Sequence, residues 1–387
     1  EYARAQCMLG QTFAAAYQAP KANEMQWLKE GVDGCRRWGE HRTLAFGLRA
    51  LAMERERLDA EARDLIEEAR QISETLGEAS GLVVTENALG IFARRAGDDG
   101  EAQRHFERAL SIAQSLAEPT ITQWPLLNLA TLALQRGDYV RAAQLYETGL
   151  AVFQQLGQVS AVADTSFDLG AAYHGLGDFE AATSMLRQAL KLYRQQGHSD
   201  AATTVLMNLV EVLVDMNQLQ DAERLLQEAE REAGAGWRWP DWTLTLQGSI
   251  HCKRQQTSAA REAFLTVMSR AVDEYLLVVR SALEHYLAVP HPRAEITELV
   301  RLLGAASVFQ THILMGSSPQ SRADFAAAQQ RIATHARNEL GDAAFEQLIG
   351  AARQLSLAEA TELVRQHAAA HLKIATRCPD HRNPAAQ

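Results

Sequence analysis

The feature that most constrains this chain is an alanine that recurs at a constant interval, at Ala22, Ala62, Ala102, Ala142, Ala182 and Ala222. Four positions after most of these alanines comes a large apolar side chain, such as Phe106 or Leu186, and seven positions after them a small one, such as Ala109 or Ala189. Such positions lie on one face of a helix. The sequence therefore predicts a helix with a small–large–small face in each unit, and hence a repeat architecture.

A second helix is predicted in each unit by a leucine at a fixed place ahead of the alanine. A small residue follows this leucine in the pairs Leu89–Gly90, Leu129–Ala130 and Leu169–Gly170. Two antiparallel helices approach closely where one presents a small side chain and the other a large one. Between them, Gly137-Asp138 and Gly177-Asp178 provide a residue suited to positive φ and then a helix N-cap. Each unit is therefore predicted to be a helical hairpin.

The residues that carry a family resemblance are Gly170, Tyr173, Gly177, Phe179, Ala182 and Ala189. They resemble the tetratricopeptide repeat (TPR) pattern, although the period of about 40 residues exceeds the usual period of about 34 residues and implies longer helices. This resemblance implies an all-α, right-handed α-solenoid of six to seven TPR-like hairpins that binds ligands on a concave face formed by the first helix of each hairpin. We assign six repeats to residues 1–235, a degenerate repeat and connecting helix to 236–290, a C-terminal helical capping module to 291–375 and a tail to 376–387.

The degenerate seventh hairpin places Gly248, Ala260, Phe264 and Val267 in the roles of the repeat residues. After it, the segments 301–306, 322–325, 340–345 and 355–360 resemble the C-terminal end of large bacterial regulators that join an effector domain, a STAND-type nucleotide-binding domain and a TPR sensor. These include LuxR-type, maltotriose-activator-like and winged-helix regulators. The chain departs from them at residues 307–309, where they have an alanine–glutamate segment. Ser356 and Glu359 predict a capping box in this region.

Charge, hydropathy and cysteine usage exclude several classes of function. The chain has 48 acidic and 38 basic residues and a net charge of −10, with no basic run that could follow a phosphate backbone. No apolar run is long enough to span a bilayer. The four cysteines are far apart and form no CxxC pair, which favours a reducing, cytoplasmic setting. We expect neither direct nucleic-acid binding nor membrane insertion.

The sequence also lacks the motifs of common enzymes. It has no GxxxxGK[ST] phosphate loop, no GxSxG and no HExxH, so we expect no catalysis and no cofactor. The resemblance implies that nucleotide-binding and effector domains lie upstream of Glu1, and that this segment senses a ligand or partner in a signal-transduction ATPase or transcription regulator. Two alternatives remain open: a stand-alone TPR scaffold that bridges proteins, and a regulatory subunit that binds an enzyme.

Polar residues occur just before the repeat leucine in three consecutive units, at Asn128, Asp168 and Asn208. Amide and carboxylate groups in such a row can hydrogen-bond the backbone of an extended peptide. By resemblance, TPR sensors that bind peptides have an asparagine at this position. The other interpretation is that these side chains hydrogen-bond groups within the array itself.

The predicted concave face mixes apolar surface with few charges, which suits a peptide, a small-molecule inducer or a partner helix. Arg94 is either an anion-binding group or, with Arg95, part of a solvated edge. Trp124 is either an aromatic anchor or, as we favour, buried between repeats. The candidate ligand-binding and partner-binding residues are Asn87, Arg94, Trp124, Asn128, Thr131, Gln135, Asp164, Asp168, His174, Asn208, Glu211 and Asp215.

We assign no metal site. The residues that come nearest to one are His367 and His371, four apart on one helical face, followed by Cys378 and His381. Their types are those of zinc ligands. Their spacing matches no established zinc pattern, however, and 12 histidines in a chain of this length produce such a pair by chance.

Overall fold

The computed structural model describes residues 24–39, 41–53, 60–116, 119–233, 240–270, 276–291, 295–312 and 319–377. Within these residues the regular structure consists of 18 α-helices, which confirms the all-α prediction. The chain divides into two compact units, the first formed by residues up to 133 with 144–156, the second by 134–143 with 157 onward. The predicted first repeat, around Leu9 and Ala22, lies outside the described residues, and the predicted division at 235, 290 and 375 stays a prediction.

The first unit contains five complete helices and most of two more, because its boundaries fall near the end of α6 and near the start of α7. Its helices are α1 (Glu24–Trp38), α2 (His41–Met53), α3 (Ala60–Thr75), α4 (Ala79–Arg95), α5 (Asp99–Ser115), α6 (Pro119–Gln135) and α7 (Tyr139–Gln155).

The second unit contains the remaining hairpins and the C-terminal helices. Its hairpin helices are α8 (Val159–Leu176), α9 (Phe179–Gln196), α10 (Ser199–Asp215), α11 (Leu219–Ala233), α12 (Pro240–Lys253) and α13 (Thr257–Ser269). Its C-terminal helices are α14 (Leu276–Ala288), α15 (Ile296–His312), α16 (Pro319–Leu340), α17 (Asp342–Arg353) and α18 (Leu357–Arg377).

Each hairpin is closed by a small residue of its first helix against a large side chain of its second helix. A Cβ added at Gly90 would lie 2.4 Å from Phe106, one at Gly170 would lie 2.8 Å from Leu186, and one at Gly248 would lie 2.5 Å from Phe264. All three pairs have the same separation in sequence. The repeat alanines from Ala62 to Ala222 are fully buried, and Ala260 takes their place in the seventh hairpin. The predicted small-to-large packing and the degenerate seventh hairpin are therefore both present.

Backbone conformation repeats with the same period as packing. Gly97, Gly137 and Gly177 have φ of 81°, 77° and 82°, and Asn217 occupies the next equivalent position with φ of 59°. This left-handed conformation ends the first helix and is accessible to glycine and asparagine at low cost. The next residue, Asp178, caps the second helix, because its side chain accepts a hydrogen bond from Ala181 N at 3.1 Å. The predicted turn chemistry is confirmed.

The C-terminal helices follow the same rule of close approach. A Cβ at Gly304 on α15 would lie 2.4 Å from the Ala352 Cβ on α17, so these helices cross with little space between their backbones. The predicted capping box begins α18, with Ser356 N donating to Glu359 Oε2 at 2.8 Å and Glu359 N donating to Ser356 Oγ at 3.3 Å. The helices α13 to α18 share one apolar cluster that includes Phe264 and Phe309.

Replacing Gly90 with alanine tests this packing. The new methyl group would overlap the fully buried Phe106 ring, and overpacking of a core costs about 1–3 kcal/mol. We expect Gly90→Ala to lower the free energy of unfolding despite the roughly 1 kcal/mol that alanine gains in helix propensity. Urea unfolding followed by circular dichroism measures the change.

Gly350 on α17 supplies the matched control, because an added Cβ there meets no atom within 4 Å. Gly350→Ala should therefore stabilise the chain by roughly 0.5–1 kcal/mol. Equal effects of the two substitutions would contradict the packing described for Gly90.

Candidate functional site

The predicted ligand-binding residues divide between the two units. Asn87 on α4, Arg94 at the end of α4, and Trp124, Asn128 and Thr131 on α6 belong to the first unit. The second unit holds the others, which are Gln135, Asp164, Asp168, His174, Asn208, Glu211 and Asp215.

In the first unit, the polar candidates bond mainly to each other and to their own helices. Asn128 Nδ2 donates to Asn87 Oδ1 at 2.9 Å, across consecutive first helices. The Thr131 hydroxyl donates to the Leu127 carbonyl oxygen at 3.0 Å and lies 3.0 Å from the Tyr146 hydroxyl. For Asn128 and Thr131, bonding within the array is thus established.

Two candidates of the first unit, Arg94 and Trp124, are not fully satisfied by contacts within the array. Arg94 is half-buried, its Nε has no hydrogen-bond partner, and burial together with the nearby Arg95 lowers its pKa. Trp124 is 57% exposed and makes an edge contact with the Phe153 ring at a centroid distance of 6.4 Å. The expectation that Trp124 is buried between repeats is wrong, because its position on α6 points the ring outward beyond Phe153. It stays available as an aromatic contact for a partner.

In the second unit, α8 and α10 carry a set of polar side chains that we call the acidic wall. It consists of Asp164, Asp168 and His174 on α8 and of Asn208, Glu211 and Asp215 on α10. Both helices are the first helices of consecutive hairpins, as predicted for the ligand-binding face. Gln135, at the C-terminal end of α6, is half-buried and is not part of this wall.

The upper part of the wall is a pair of aspartates one helical turn apart. The Tyr193 hydroxyl donates a hydrogen bond to Asp164 Oδ1 at 2.6 Å. Asp168, half-buried beside it, has its pKa raised to about 7, first by burial and then by the negative charge of Asp164. The Tyr193 pKa is also raised, by burial and by the same hydrogen bond, so its phenol stays protonated and donates. Asp168 is therefore a carboxyl group whose charge changes near neutral pH.

The lower part of the wall is an imidazole–carboxylate pair that joins the two helices. His174 Nε2 lies 2.8 Å from Asp215 Oδ2, and both side chains are about nine-tenths buried. Asn208, between the two parts, donates one amide N–H to the Thr204 carbonyl oxygen of its own helix at 2.9 Å. An amide has a second N–H and an oxygen, so this internal bond uses only part of its capacity.

A third element, α12, contributes to the wall through Trp242. Its indole N–H donates to Glu211 Oε1 at 2.9 Å. Burial raises the Glu211 pKa, an effect that His174 and the Trp242 hydrogen bond oppose in part. A buried carboxylate that accepts a neutral donor keeps an unfavourable desolvation energy. Glu211 is thus a second acidic group held in surroundings that disfavour its charge.

Acidic groups outnumber basic ones among the residues of the wall, and the Arg322 guanidinium from α16 lies next to it, donating to the Gly175 carbonyl oxygen at 3.2 Å. It contains four carboxyl groups, those of Asp164, Asp168, Glu211 and Asp215, and one imidazole, and the groups that affect the Asp168 pKa include no cation. Carboxylates this close repel one another and favour binding of a positive group, which lowers the cost of their ionisation. The arrangement is suited to recognising a positively charged group.

Sequence reasoning missed Tyr193 and Trp242, which hold the carboxylates in place. Tyr193 lies one repeat after Phe153, so it is the aromatic residue of that repeat position with an added hydroxyl group. An alignment of the repeats shows this change from phenylalanine to tyrosine and could have indicated a polar role. Trp242 belongs to a tryptophan-rich segment at the break in the period, where the repeat pattern assigns no position to the ring.

Of the residues considered for a metal, His367 and His371 lie on α18 with their ring centroids 4.3 Å apart. Cys378 and His381 lie outside the described residues. Burial, followed by the nearby His371, lowers the pKa of His367 to about 4.

Among the helices that the structure describes, none combines the length and apolarity needed to cross a bilayer.

Comparison with known proteins supports the architecture. Residues 122–195, which contain most of α6 and all but the last residue of α9, match the family model of the tetratricopeptide repeat. No curated protein sequence matches the chain. Among solved structures, the apo form of the quorum sensor NprR from B. thuringiensis is similar with a TM-score of 0.51 and 12% identity, over 89% of this chain and 99% of that one.

A second similar structure is a Rap protein complexed with Competence and Sporulation Factor, with a TM-score of 0.50 and 13% identity, over 82% of this chain and 85% of that one. At these identities the similarity shows the fold. The part of the chain that the structure describes is therefore an all-α array of TPR-type helical hairpins.

Replacing Asp168 with asparagine tests the electrostatics of the wall. The folded-state pKa of about 7 lies above the ordinary value of 3.8, so the folded chain holds a proton that the unfolded chain releases between these pH values. The contribution of Asp168 to stability consequently falls as pH rises from about 4 to about 7. Asp168→Asn should raise the free energy of unfolding at pH 8, by at most about 4 kcal/mol, and change it little near pH 4.

The control for this substitution is Asp200→Asn, which removes a carboxylate that is exposed at the start of α10. Its effect should not grow between pH 4 and pH 8 as that of Asp168→Asn does. Melting curves recorded across this range decide the matter, and a destabilising Asp168→Asn at pH 8 would contradict the assignment of a costly buried charge.

Proposed function

We propose that the chain is a non-catalytic ligand-sensing and protein-interaction domain, and that its acidic wall binds an extended peptide that carries positive charge. The observation that carries this proposal is the set of four carboxyl groups on consecutive first helices, with one imidazole among them. Two of them, Asp168 and Glu211, are held where burial disfavours their ionisation. A lysine, an arginine or a peptide N-terminus would supply the missing charge.

The spacing of the wall favours a peptide over a small cation. Asp168 and Asn208 occupy equivalent positions in consecutive repeats. The axes of helices that pack side by side are about 10 Å apart. Three residues of a polyproline II chain span about 9 Å and complete one turn, so every third side chain lies on the same side. A peptide could thus present every third residue to successive helices, with the second N–H and the oxygen of Asn208 available to its backbone.

The similar structures support the general mode of use. One of them is a Rap protein bound to Competence and Sporulation Factor, and another is described as a quorum sensor. What carries over to this chain is the hairpin array as a framework that can hold a bound factor. The preference for a positively charged ligand rests on the acidic wall of this chain alone.

For the wider setting, we propose a bacterial signal-transduction ATPase or transcription regulator of the cytoplasm, in which nucleotide-binding and effector domains belong to the same protein. Support comes from the resemblance of the segments between residues 301 and 360 to the ends of such regulators. A phosphate-loop motif in the same reading frame, ahead of residue 1, is the expected finding. A gene that encodes the hairpin array without such a domain would favour the scaffold alternative.

Selection from a random-peptide display library tests peptide binding directly. We expect peptides retained by the immobilised chain to be enriched in lysine and arginine relative to the library, since the wall carries an excess of carboxylates. Fluorescence anisotropy with one enriched peptide should then show weaker binding as salt rises, because screening reduces the attraction between opposite charges. Retention of acidic peptides, or no enrichment at all, would contradict the proposal.

Asp168→Asn separates binding from folding in the same assay. The variant is expected to be more stable at pH 8, yet to bind the enriched peptide about tenfold more weakly, as the loss of one charged contact of about 1.4 kcal/mol implies. Asp200→Asn, with the same change of charge outside the wall, should bind like the parent chain. Unchanged affinity of Asp168→Asn would place the peptide elsewhere.

A further inference from the structure

The C-terminal helices contain a second cluster of chemical groups, distinct from the acidic wall. His367 and His371 are one turn apart on α18, and Glu298 is on α15. One ligand atom from each of the three lies within 4.8 Å of the others, and His371 Nε2 is 3.8 Å from Glu298 Oε2. The cluster joins two helices that are far apart in sequence.

We propose that Glu298, His367 and His371 bind a divalent transition-metal ion, for which Zn²⁺ is the best match. Two histidines and one carboxylate are a common set of zinc ligands, with a water molecule in the fourth position. Tetrahedral ligands at about 2.0–2.1 Å from zinc lie about 3.3 Å from each other. The Glu298 side chain is 55% exposed, so it can move the short distance required without displacing the core.

A buried hydroxyl is placed to orient one of the two imidazoles. His367 Nε2 lies 3.1 Å from the hydroxyl of the fully buried Tyr286, and a ring held in this way has Nδ1 left for a metal ion. On the other imidazole, His371 Nδ1 is 3.9 Å from Glu295 Oε1. A hydroxyl partner such as that of Tyr286 fixes ring orientation in metal sites, whereas the distance between His371 and Glu295 exceeds that of a hydrogen bond.

The charges around the cluster are compatible with a bound cation. Glu295 is itself neutralised by Arg261, whose NH2 lies 2.9 Å and 3.1 Å from its two oxygens. Glu298 therefore supplies the net negative charge of the cluster.

This ligand set differs from the one that the sequence indicated. The spacing of His367 and His371 was recognisable, but Cys378 and His381, the other two residues considered, lie outside the described part of the chain. Glu298 replaces them from α15, three helices before α18. A metal bound here would join α15 to α18 and thereby hold the last helix against the C-terminal core.

Zinc binding by the whole chain tests the proposal. After treatment with a chelator and its removal, the chain is titrated with zinc chloride in a calorimeter, and a parallel sample with cobalt chloride is examined by visible absorption. We expect one ion per chain and the intense bands of tetrahedral cobalt. Glu298→Gln and His371→Asn should each weaken zinc binding at least about 100-fold, and Tyr286→Phe about 10–100-fold, as loss of an outer partner does.

Matched controls identify the ligands. Glu339→Gln and His198→Asn alter exposed residues of the same types away from the cluster and should bind zinc like the parent chain. Asp168→Asn should also leave zinc binding unchanged, which separates this site from the acidic wall, and so should Cys378→Ser. Absence of zinc binding, normal binding by Glu298→Gln, or a loss in Cys378→Ser as large as in His371→Asn would overturn the proposed site.

Discussion

Close approach of two helices at a residue without a large side chain is the interaction on which the rest of the structure depends. Gly90, Gly170 and Gly248 each leave space for a ring or leucine of the following helix, and a buried alanine on that second helix completes each seam. Since interiors are packed at crystal-like density, a pair so placed fixes the depth at which the helices meet. The hairpin geometry, and with it the position of each first helix, follows from these few contacts.

A constant hairpin geometry converts a period in sequence into neighbours in space. Asn87 and Asn128 are 41 residues apart and share a hydrogen bond, and His174 and Asp215 have the same separation and the same relation. In both units, a residue of one first helix therefore meets the residue one position beyond its equivalent in the next first helix. The acidic wall is one consequence, because a carboxylate placed at such a position in one repeat faces the polar residues of the next.

The sequence predicted the fold well because the residues that recur with the period are the same residues that pack the helices together. Turn glycines, the cap at Asp178 and the capping box at Ser356 are local features that a sequence states directly. The candidate site stays a prediction, and its chemistry depends on contacts between elements that the sequence does not state. Tyr193 reaches Asp164 from the second helix of a hairpin, and Glu298 approaches His371 from a helix three elements earlier. The periodic pattern also did not predict the direction of an exposed side chain such as that of Trp124.

The carboxylates of the wall make occupancy and stability interdependent. Asp168 and Glu211 are kept where burial opposes their charge, and a fold retains such groups at a cost in stability. A ligand that supplies a positive charge would bind the conformation with an ordered, ionised acidic wall more tightly than conformations in which the wall residues are separated. The ligand would therefore shift the equilibrium toward the ordered conformation. Because α8 and α10 belong to separate hairpins, joined at the wall by His174 and Asp215, the effect of the ligand falls on the packing between repeats. If the acidic wall binds its ligand as proposed, binding would therefore change the rigidity of the packing between repeats.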